Sequence, residues 1–175
     1  MSRRAAALAA VALAGCAVVP PPPPDVPGTS FSGRMTMQVE AAEGQPARSM
    51  TAAFELQGRA AAGRMDLSTP LGSLIAQARW ERGRVTLATP QGEQRFADLD
   101  AMTREVLGEV LPVAALFDWL AGQPWAGAAS QPLEASAGFR QLGWKVDTAQ
   151  LDAARLSAVR EQPPVVTVRV KLDRP

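Results

Sequence analysis

The first well-patterned stretch of the chain, residues 31–40, alternates apolar and polar positions. Successive side chains of an extended strand point to opposite faces, so this alternation predicts a half-buried β-strand. The same alternation recurs over residues 49–57, 63–68, 74–81 and 84–88, and a shorter strand is expected around Phe96. Because each run ends at a turn, the pattern predicts a meandering antiparallel sheet with one face exposed to water.

A helical period replaces the alternation between residues 99 and 120. The first predicted helix has Asp98 or Asp100 as its cap and apolar positions at Leu99, Met102, Val106 and Leu107. The second is expected to begin with Pro112 as its first residue, to stop at residues 122–124, and to have an apolar stripe of Val113, Leu116, Phe117 and Leu120. Two helices inserted as one block among strands are expected to cover one side of the sheet and enclose a cavity.

Strands return in the last third of the chain. We expect an irregular loop over residues 125–137 and one strand over residues 139–147 that places Leu142, Trp144 and Val146 on one face. A weaker strand follows around Leu156, and the last is expected over residues 165–172 with Val166, Val168, Val170 and Leu172 on one side. The predicted architecture is therefore mainly β, of the α+β class.

One predicted turn carries an apolar residue at its tip. Residues 69–73 connect two predicted strands, and Pro70 and Gly72 hold Leu71 at a position where turns usually carry polar residues. One interpretation is that Leu71 folds back onto the core. The other is that it projects as an apolar finger toward a membrane or a lipid.

The N-terminal segment has the three parts of a bacterial lipoprotein signal. Two arginines precede a short apolar run, too short to span a bilayer, and residues 13–16 (Leu-Ala-Gly-Cys) match a lipobox. We expect cleavage of residues 1–15 and lipidation of Cys16. An ordinary secretory signal that happens to contain a cysteine is the alternative. Ala17 replaces the aspartate that would retain the protein in the inner membrane, so we expect an outer-membrane protein facing the periplasm.

Residues 16–30 are expected to link the lipidated cysteine to a domain over residues 31–175. Five consecutive prolines at positions 20–24 favour an extended polyproline II conformation, which advances about 3.1 Å per residue. We expect this linker to hold the domain away from the membrane. Docking to a proline-binding module is the alternative.

Composition excludes several kinds of site. The 175 residues carry a formal net charge of +1 with both signs interspersed, so no nucleic-acid surface is indicated. There is no histidine, the commonest general base and metal ligand, and Cys16 is the only cysteine of the sequence. We therefore expect no metal and no cofactor.

Methionines recur on the predicted inward faces. They adapt to irregular shapes, so they either fill the core or line a cavity that accepts acyl chains of varied length. The candidate cavity lining comprises Met35, Met37, Met50, Phe54, Met65, Leu67, Trp80, Met102, Val106, Leu116, Leu120, Trp144 and Val168.

Several segments, in order, resemble the LolB family of outer-membrane lipoprotein receptors. They are the lipobox, residues 31–34 (Phe-Ser-Gly-Arg), 69–73 (Thr-Pro-Leu-Gly-Ser), 111–113 with 119–124, 138–144 (Gly-Phe-Arg-Gln-Leu-Gly-Trp) and 168–172 (Val-Arg-Val-Lys-Leu). The resemblance covers essentially all of the expected mature domain. Residues 148–154 match only weakly, which leaves the pairing of the last strands open.

This resemblance implies an unclosed antiparallel β-barrel with helices capping a hydrophobic cavity. It also implies a receptor that accepts lipoproteins from the soluble periplasmic carrier LolA and inserts them into the outer membrane without energy input. No GxxxxGK[ST] nucleotide motif is present in the chain. Leu71 corresponds to the apolar residue that the family carries on a protruding loop and that is implicated in delivery. A monomer is expected.

Three rival interpretations remain. The first is a lipoprotein that binds another lipid or hydrophobic ligand, and the second is a purely structural lipoprotein. The third is an envelope hydrolase, which is disfavoured because the chain lacks a GxSxG motif and a histidine base. Two of Asp66, Glu81 and Glu55 could form an acid pair, but Asp66 and Glu55 fall on polar faces. We therefore expect no enzyme.

Overall fold

A computed structural model describes residues 27–42, 44 and 46–173. The expectations for the signal segment, Cys16 and the proline run lie outside the described residues. The elements are β1 (Thr29–Val39), β2 (Arg48–Arg59), β3 (Ala62–Ser68), β4 (Leu74–Glu81), β5 (Arg84–Thr89), β6 (Gly92–Phe96), α1 (Leu99–Leu107), α2 (Val113–Leu120), β7 (Ser130–Pro132), β8 (Gly138–Gln141), β9 (Trp144–Asp147), β10 (Arg155–Arg160) and β11 (Val166–Leu172), with a short 3₁₀ turn at Leu151–Ala153.

The strands form one antiparallel sheet in the order β6-β5-β4-β3-β2-β1-β11-β10-β9-β8-β7. Successive strands pair with each other, and β1 pairs with β11 so that the two halves of the chain join. In the described part of the chain β6 and β7 stay unpaired with each other, and both helices lie in the connection between these two edges. The expected unclosed antiparallel sheet with helices is confirmed, and β11 lies between β1 and β10.

The two helices differ in their packing partners and in how many of their residues are buried. Helix α2 packs against β1 and β2, and its buried residues are Val113, Ala115, Leu116, Phe117, Trp119 and Leu120. Helix α1 packs beside β5, β6 and α2, and only Met102 and Thr103 of its residues are buried. The hydrophobic core therefore lies between α2 and the concave face of the sheet.

The predicted alternation is confirmed in β1, β2, β4 and β5. It is wrong at Arg64 of β3, a polar position that is buried and forms an ion pair with Asp66 at 3.2 Å. In β1, Met35, Met37 and Val39 are buried, while Arg34 and Gln38 at the alternate positions are exposed. The predicted start of α1 is also confirmed, because Asp98 accepts a hydrogen bond from the backbone N–H of Ala101 at 2.7 Å.

The single strand expected over residues 139–147 is wrong. The structure has a β8–β9 hairpin there, and Leu142 and Gly143 form its two-residue loop with φ of +53° and +77°. Glycine readily adopts this left-handed conformation, and the loop shifts the inward face by one residue. Gln141 is consequently buried, whereas Leu142, expected inside, is 45% exposed.

Two smaller expectations also need correction. Pro112 is the N-cap of α2, one residue before the first helical position at which it was expected. The region predicted as an irregular loop, residues 125–137, contains the edge strand β7, whose three residues are exposed and pair with β8. An exposed three-residue strand has no buried face, so its sequence shows no alternation.

Candidate functional site

An apolar cavity lies between the concave face of the sheet and the two helices. Its volume is about 50 Å³. The lining residues are Met35, Met37, Met50, Met65, Leu67, Ala76, Ala78, Leu87, Met102, Thr103, Val106, Leu107, Leu111 and Val113. Thr103 contributes the one side-chain oxygen in this lining. Its hydroxyl accepts a hydrogen bond from the N–H of Leu111 and donates one to the carbonyl of Asp100, so it is satisfied without a ligand.

The strand register explains why space remains at this position. Met65 of β3 stands opposite Ala78 of β4, and Leu67 stands opposite Ala76. Each long side chain thus faces a methyl group, and the pair leaves room that two long side chains would fill. Flexible methionines border that room and can change rotamer to suit a ligand.

The cavity lining contains seven of the residues that the sequence proposed for it: Met35, Met37, Met50, Met65, Leu67, Met102 and Val106. The other six candidates, Phe54, Trp80, Leu116, Leu120, Trp144 and Val168, are buried in the hydrophobic core outside the lining. They lie outside it because α2 fills the rest of the concave space.

Trp80 shows how tightly the packed part of the interior is filled. Its ring lies so close to Gly63 that an added Cβ there would come within 2.4 Å of it. Its indole N–H donates to the carbonyl of Ala60 at 3.0 Å, and its centroid is 6.1 Å from that of Phe117. No acyl chain can enter there without displacing an aromatic ring.

Half of the lining residues are absent from the predicted set. Ala76, Ala78 and Leu87 follow the predicted inward alternation of their strands, so the pattern could have identified them. Val113 belongs to the predicted apolar stripe of α2 and Leu111 precedes the helix, and both line the cavity because the start of α2 lies beside it. No local pattern carries that information.

The cavity borders solvent where the strand ends meet α1. Val106 of α1 is 48% exposed, and Met50 and Leu67 are half-buried. Gly108, the left-handed C-cap of α1, lies against the guanidinium of Arg48, because a Cβ there would be 2.7 Å from its nitrogens. The C-terminal end of α1 therefore forms one side of the opening.

The hairpin between β3 and β4 presents Leu71 to solvent. The backbone N–H of Gly72 donates to the carbonyl of Thr69 at 2.9 Å, and that of Thr69 donates to the carbonyl of Ser73 at 2.9 Å. Gly72 has φ of +85°, which suits glycine. Leu71 is 95% exposed, so the interpretation that it folds back onto the core is wrong.

The described residues hold no group of three or more histidine, cysteine, aspartate or glutamate side chains placed to bind a metal ion. In the same residues no helix has the length and apolar character needed to cross a membrane.

Comparisons with known proteins agree with this geometry. The model of the family "Outer membrane lipoprotein LolB" matches residues 30–173. A protein from Bordetella petrii named outer-membrane lipoprotein LolB is 34% identical over 159 residues, which cover 89% of this chain and 78% of that protein. The protein of the same name from Ralstonia nicotianae is 29% identical over 83% of this chain and 79% of its own length. That from Bordetella pertussis is 33% identical over 62% and 58% respectively.

Proposed function

The chain belongs to the outer membrane lipoprotein LolB family, and on that premise we propose how its structure performs lipoprotein reception. It accepts lipoproteins from the periplasmic carrier LolA, shelters their acyl chains in the apolar cavity, and inserts them into the outer membrane. The protein is lipid-anchored in that membrane and faces the periplasm. We assign residues 1–15 to the signal peptide, residues 16–30 to the lipidated Cys16 and its linker, and residues 31–175 to the acyl-binding domain.

The apolar lining of the cavity is the observation that carries this proposal. An acyl chain exposed to water costs about 0.8 kcal/mol per methylene, or roughly 10 kcal/mol for a long chain. Hand-over must therefore run from the carrier's cavity into this one through direct contact. A lining of methionine, leucine, valine and alanine offers a lipid chain the required environment without an unsatisfied polar group.

The cavity must widen to admit a chain. Its volume of about 50 Å³ has room for a few water molecules, which is far less than a long acyl chain needs. Helix α1 is the element that moves, because it buries only Met102 and Thr103 while α2 is buried over most of its length. Elements with few buried apolar contacts open at the lowest free-energy cost.

Release occurs at the membrane and is assisted by Leu71. The hairpin tip, Pro70, Leu71 and Gly72, is exposed, and Leu71 offers an isobutyl group that enters the inner leaflet. No nucleotide motif supplies energy, so transfer runs down an affinity gradient from LolA to this protein and then to the bilayer. The protein acts as a monomer.

The family is one of lipoprotein-trafficking receptors and not of enzymes, and we infer that this chain catalyses no reaction. The rival with the same cavity is a periplasm-facing lipoprotein that binds another lipid or hydrophobic ligand. Such a protein binds acyl ligands but receives nothing from LolA.

A hand-over assay distinguishes the two. Vesicles carrying the lipidated full-length protein would be incubated, without nucleotide, with LolA loaded with a tagged lipoprotein, and the tag would be measured in the vesicle pellet. We expect the tag to move to these vesicles and to stay on LolA with protein-free vesicles. A tag that stays on LolA although circular dichroism shows the protein folded would favour the rival.

A further inference from the structure

The convex face of the sheet carries a second concavity, a groove of about 530 Å³ over β1, β11 and β10. It lies on the side opposite to the apolar cavity. Its exposed residues alternate along their strands with buried ones: Arg34 precedes buried Met35, and Lys171 follows buried Val170. The groove is therefore separate from the acyl-binding site.

Three cations stand in one row across this groove. In the strand register Lys171 of β11 is directly opposite Arg34 of β1 on one side and Arg155 of β10 on the other. Neighbouring strands are about 4.8 Å apart, so the three residues lie within about 10 Å. Like charges placed directly opposite each other destabilise a sheet, and a bound anion would offset their repulsion.

A fourth cation and two hydroxyls occupy the adjacent row. Arg169 is flanked in register by Thr36 and Ser157, and its Nη1 donates to Oε1 of Gln38 at 2.7 Å. Guanidinium groups and hydroxyls are the donors that phosphate oxygens accept from in proteins. This second row therefore adds hydrogen-bond donors to the positive charge of the first row.

None of the four groove cations forms an ion pair within the described part of the protein. Its four ion pairs involve Arg64, Arg84, Arg140 and Arg160, none of which lines the groove. Among the described lining residues Asp147 is the one carboxylate, and its Oδ1 accepts a hydrogen bond from the backbone N–H of Ala149 at 2.9 Å.

We propose that this groove binds the phosphate group of an anionic glycerophospholipid in the membrane. Its donors suit a headgroup, and the proposed tether keeps the domain within reach of the headgroups. Arg34 lies on β1, the first strand after the linker, and the chain between Cys16 and Thr29 spans about 40 Å when extended. For the position of the anchor this inference rests on the proposed function.

Calorimetry with short-chain lipids tests the proposal. The lipidated protein in nonionic detergent would be titrated at low ionic strength with dihexanoyl phosphatidylglycerol and, separately, with dihexanoyl phosphatidylcholine. Their equal acyl chains cancel any contribution of the apolar cavity. The double variant R34Q/K171Q would be compared with R59Q/R95Q, which removes the same charge from two exposed arginines outside the groove.

We expect the wild type and R59Q/R95Q to prefer the anionic lipid, and R34Q/K171Q to lose this preference. The loss should be about fivefold for each cation removed, hence about 25-fold, because a cation near an anionic surface contributes about that factor. The preference should also weaken at high salt, since screening shortens the range of these charges.

Three results would overturn the proposal. The first is equal affinity of the wild type for the two lipids. The second is equally tight binding of inorganic phosphate, which would indicate a site for free anions. The third is an unchanged headgroup preference in R34Q/K171Q; if the separate hand-over assay then showed lost transfer from LolA, the groove would be a site for an acidic protein partner. The titration contains neither carrier nor client, so its failure is distinct from a failure of lipoprotein reception.

Discussion

The side-chain oxygen of Gln141 accepts a hydrogen bond from the indole Nε1 of Trp119 at 2.8 Å and so ties α2 to β8. The same oxygen accepts from the N–H of Trp125 at 2.9 Å, and the amide nitrogen donates to the carbonyls of Trp125 and Ala128 at 2.7 and 2.8 Å. Gln141 is 2% exposed. This buried amide joins α2 and the loop after it to β8, and it adds to the buried apolar face of α2 in fixing the helix against the sheet. The position of α2 limits the cavity to the remaining space.

Replacing Gln141 with leucine should destabilise the protein by about 3 kcal/mol, because the change leaves buried donors and acceptors without partners. Urea denaturation followed by tryptophan fluorescence measures the loss. The matched variant Gln131→Leu alters an exposed glutamine of the neighbouring strand β7 and should change the free energy of unfolding by less than about 0.5 kcal/mol. Equal effects of the two variants would contradict the structural role given to the Gln141 amide.

Replacing Leu71 with glutamate should impair delivery to the membrane and leave acyl binding intact. Leu71 is 95% exposed, so the unfolding free energy should change by less than about 0.5 kcal/mol, while a charged tip cannot enter the apolar leaflet. The measurement is the transfer of a tagged lipoprotein into vesicles. Leu142→Glu, at another exposed hairpin leucine, is the control and should deliver normally. Unchanged delivery by L71E would reduce Leu71 to an ordinary surface residue.

Replacing Ala76 with leucine should fill the cavity. Ala76 faces Leu67 across the β3–β4 pair and lines the space, so the added carbons occupy the volume that a ligand needs. We expect about tenfold weaker binding of a fluorescent fatty acid and a change of less than about 2 kcal/mol in stability. The control is Ala88→Leu, which makes the same substitution on the outer face of the sheet. Ala88 lies on β5 and pairs with outward-facing Gln77. Equal binding by A76L and wild type would place the ligand elsewhere.

Replacing Asp98 with alanine should loosen α1 and speed ligand entry. The carboxylate caps the helix through the N–H of Ala101, and loss of such a cap costs about 1 kcal/mol. We expect faster amide exchange in α1 than in α2 and about threefold faster association of a fluorescent fatty acid. Asp118→Ala, on α2, removes a carboxylate that is not at a helix cap and should leave both rates unchanged. Slower association in D98A would contradict the assignment of α1 as the moving element.

Local patterns predicted most of the scaffold. The alternation around Met35 and Met37, the cap at Asp98 and the apolar tip at Leu71 each depend on residues a few positions apart, and all are present in the structure. The β8–β9 hairpin escaped prediction because Leu142 occupies a left-handed position that glycine or asparagine usually takes. Because Leu142 is apolar, the alternation of apolar and polar residues continues across the turn and does not reveal it.

The sequence by itself determined the inward-facing side chains of most strands, the start of α1 and the place of Leu71 at a hairpin tip, because backbone geometry translates residue spacing directly into faces. Only the tertiary structure decided which inward residues line empty space. Phe54 and Trp80 follow the same inward pattern as Met65. However, α2 packs over part of the concave face, and of these three residues Met65 is the one that lines the cavity. That outcome depends on the packing of α2 against β1 and β2, on the hydrogen bonds of Gln141 with residues more than ten positions away, and on β1 meeting β11, contacts that no local pattern encodes.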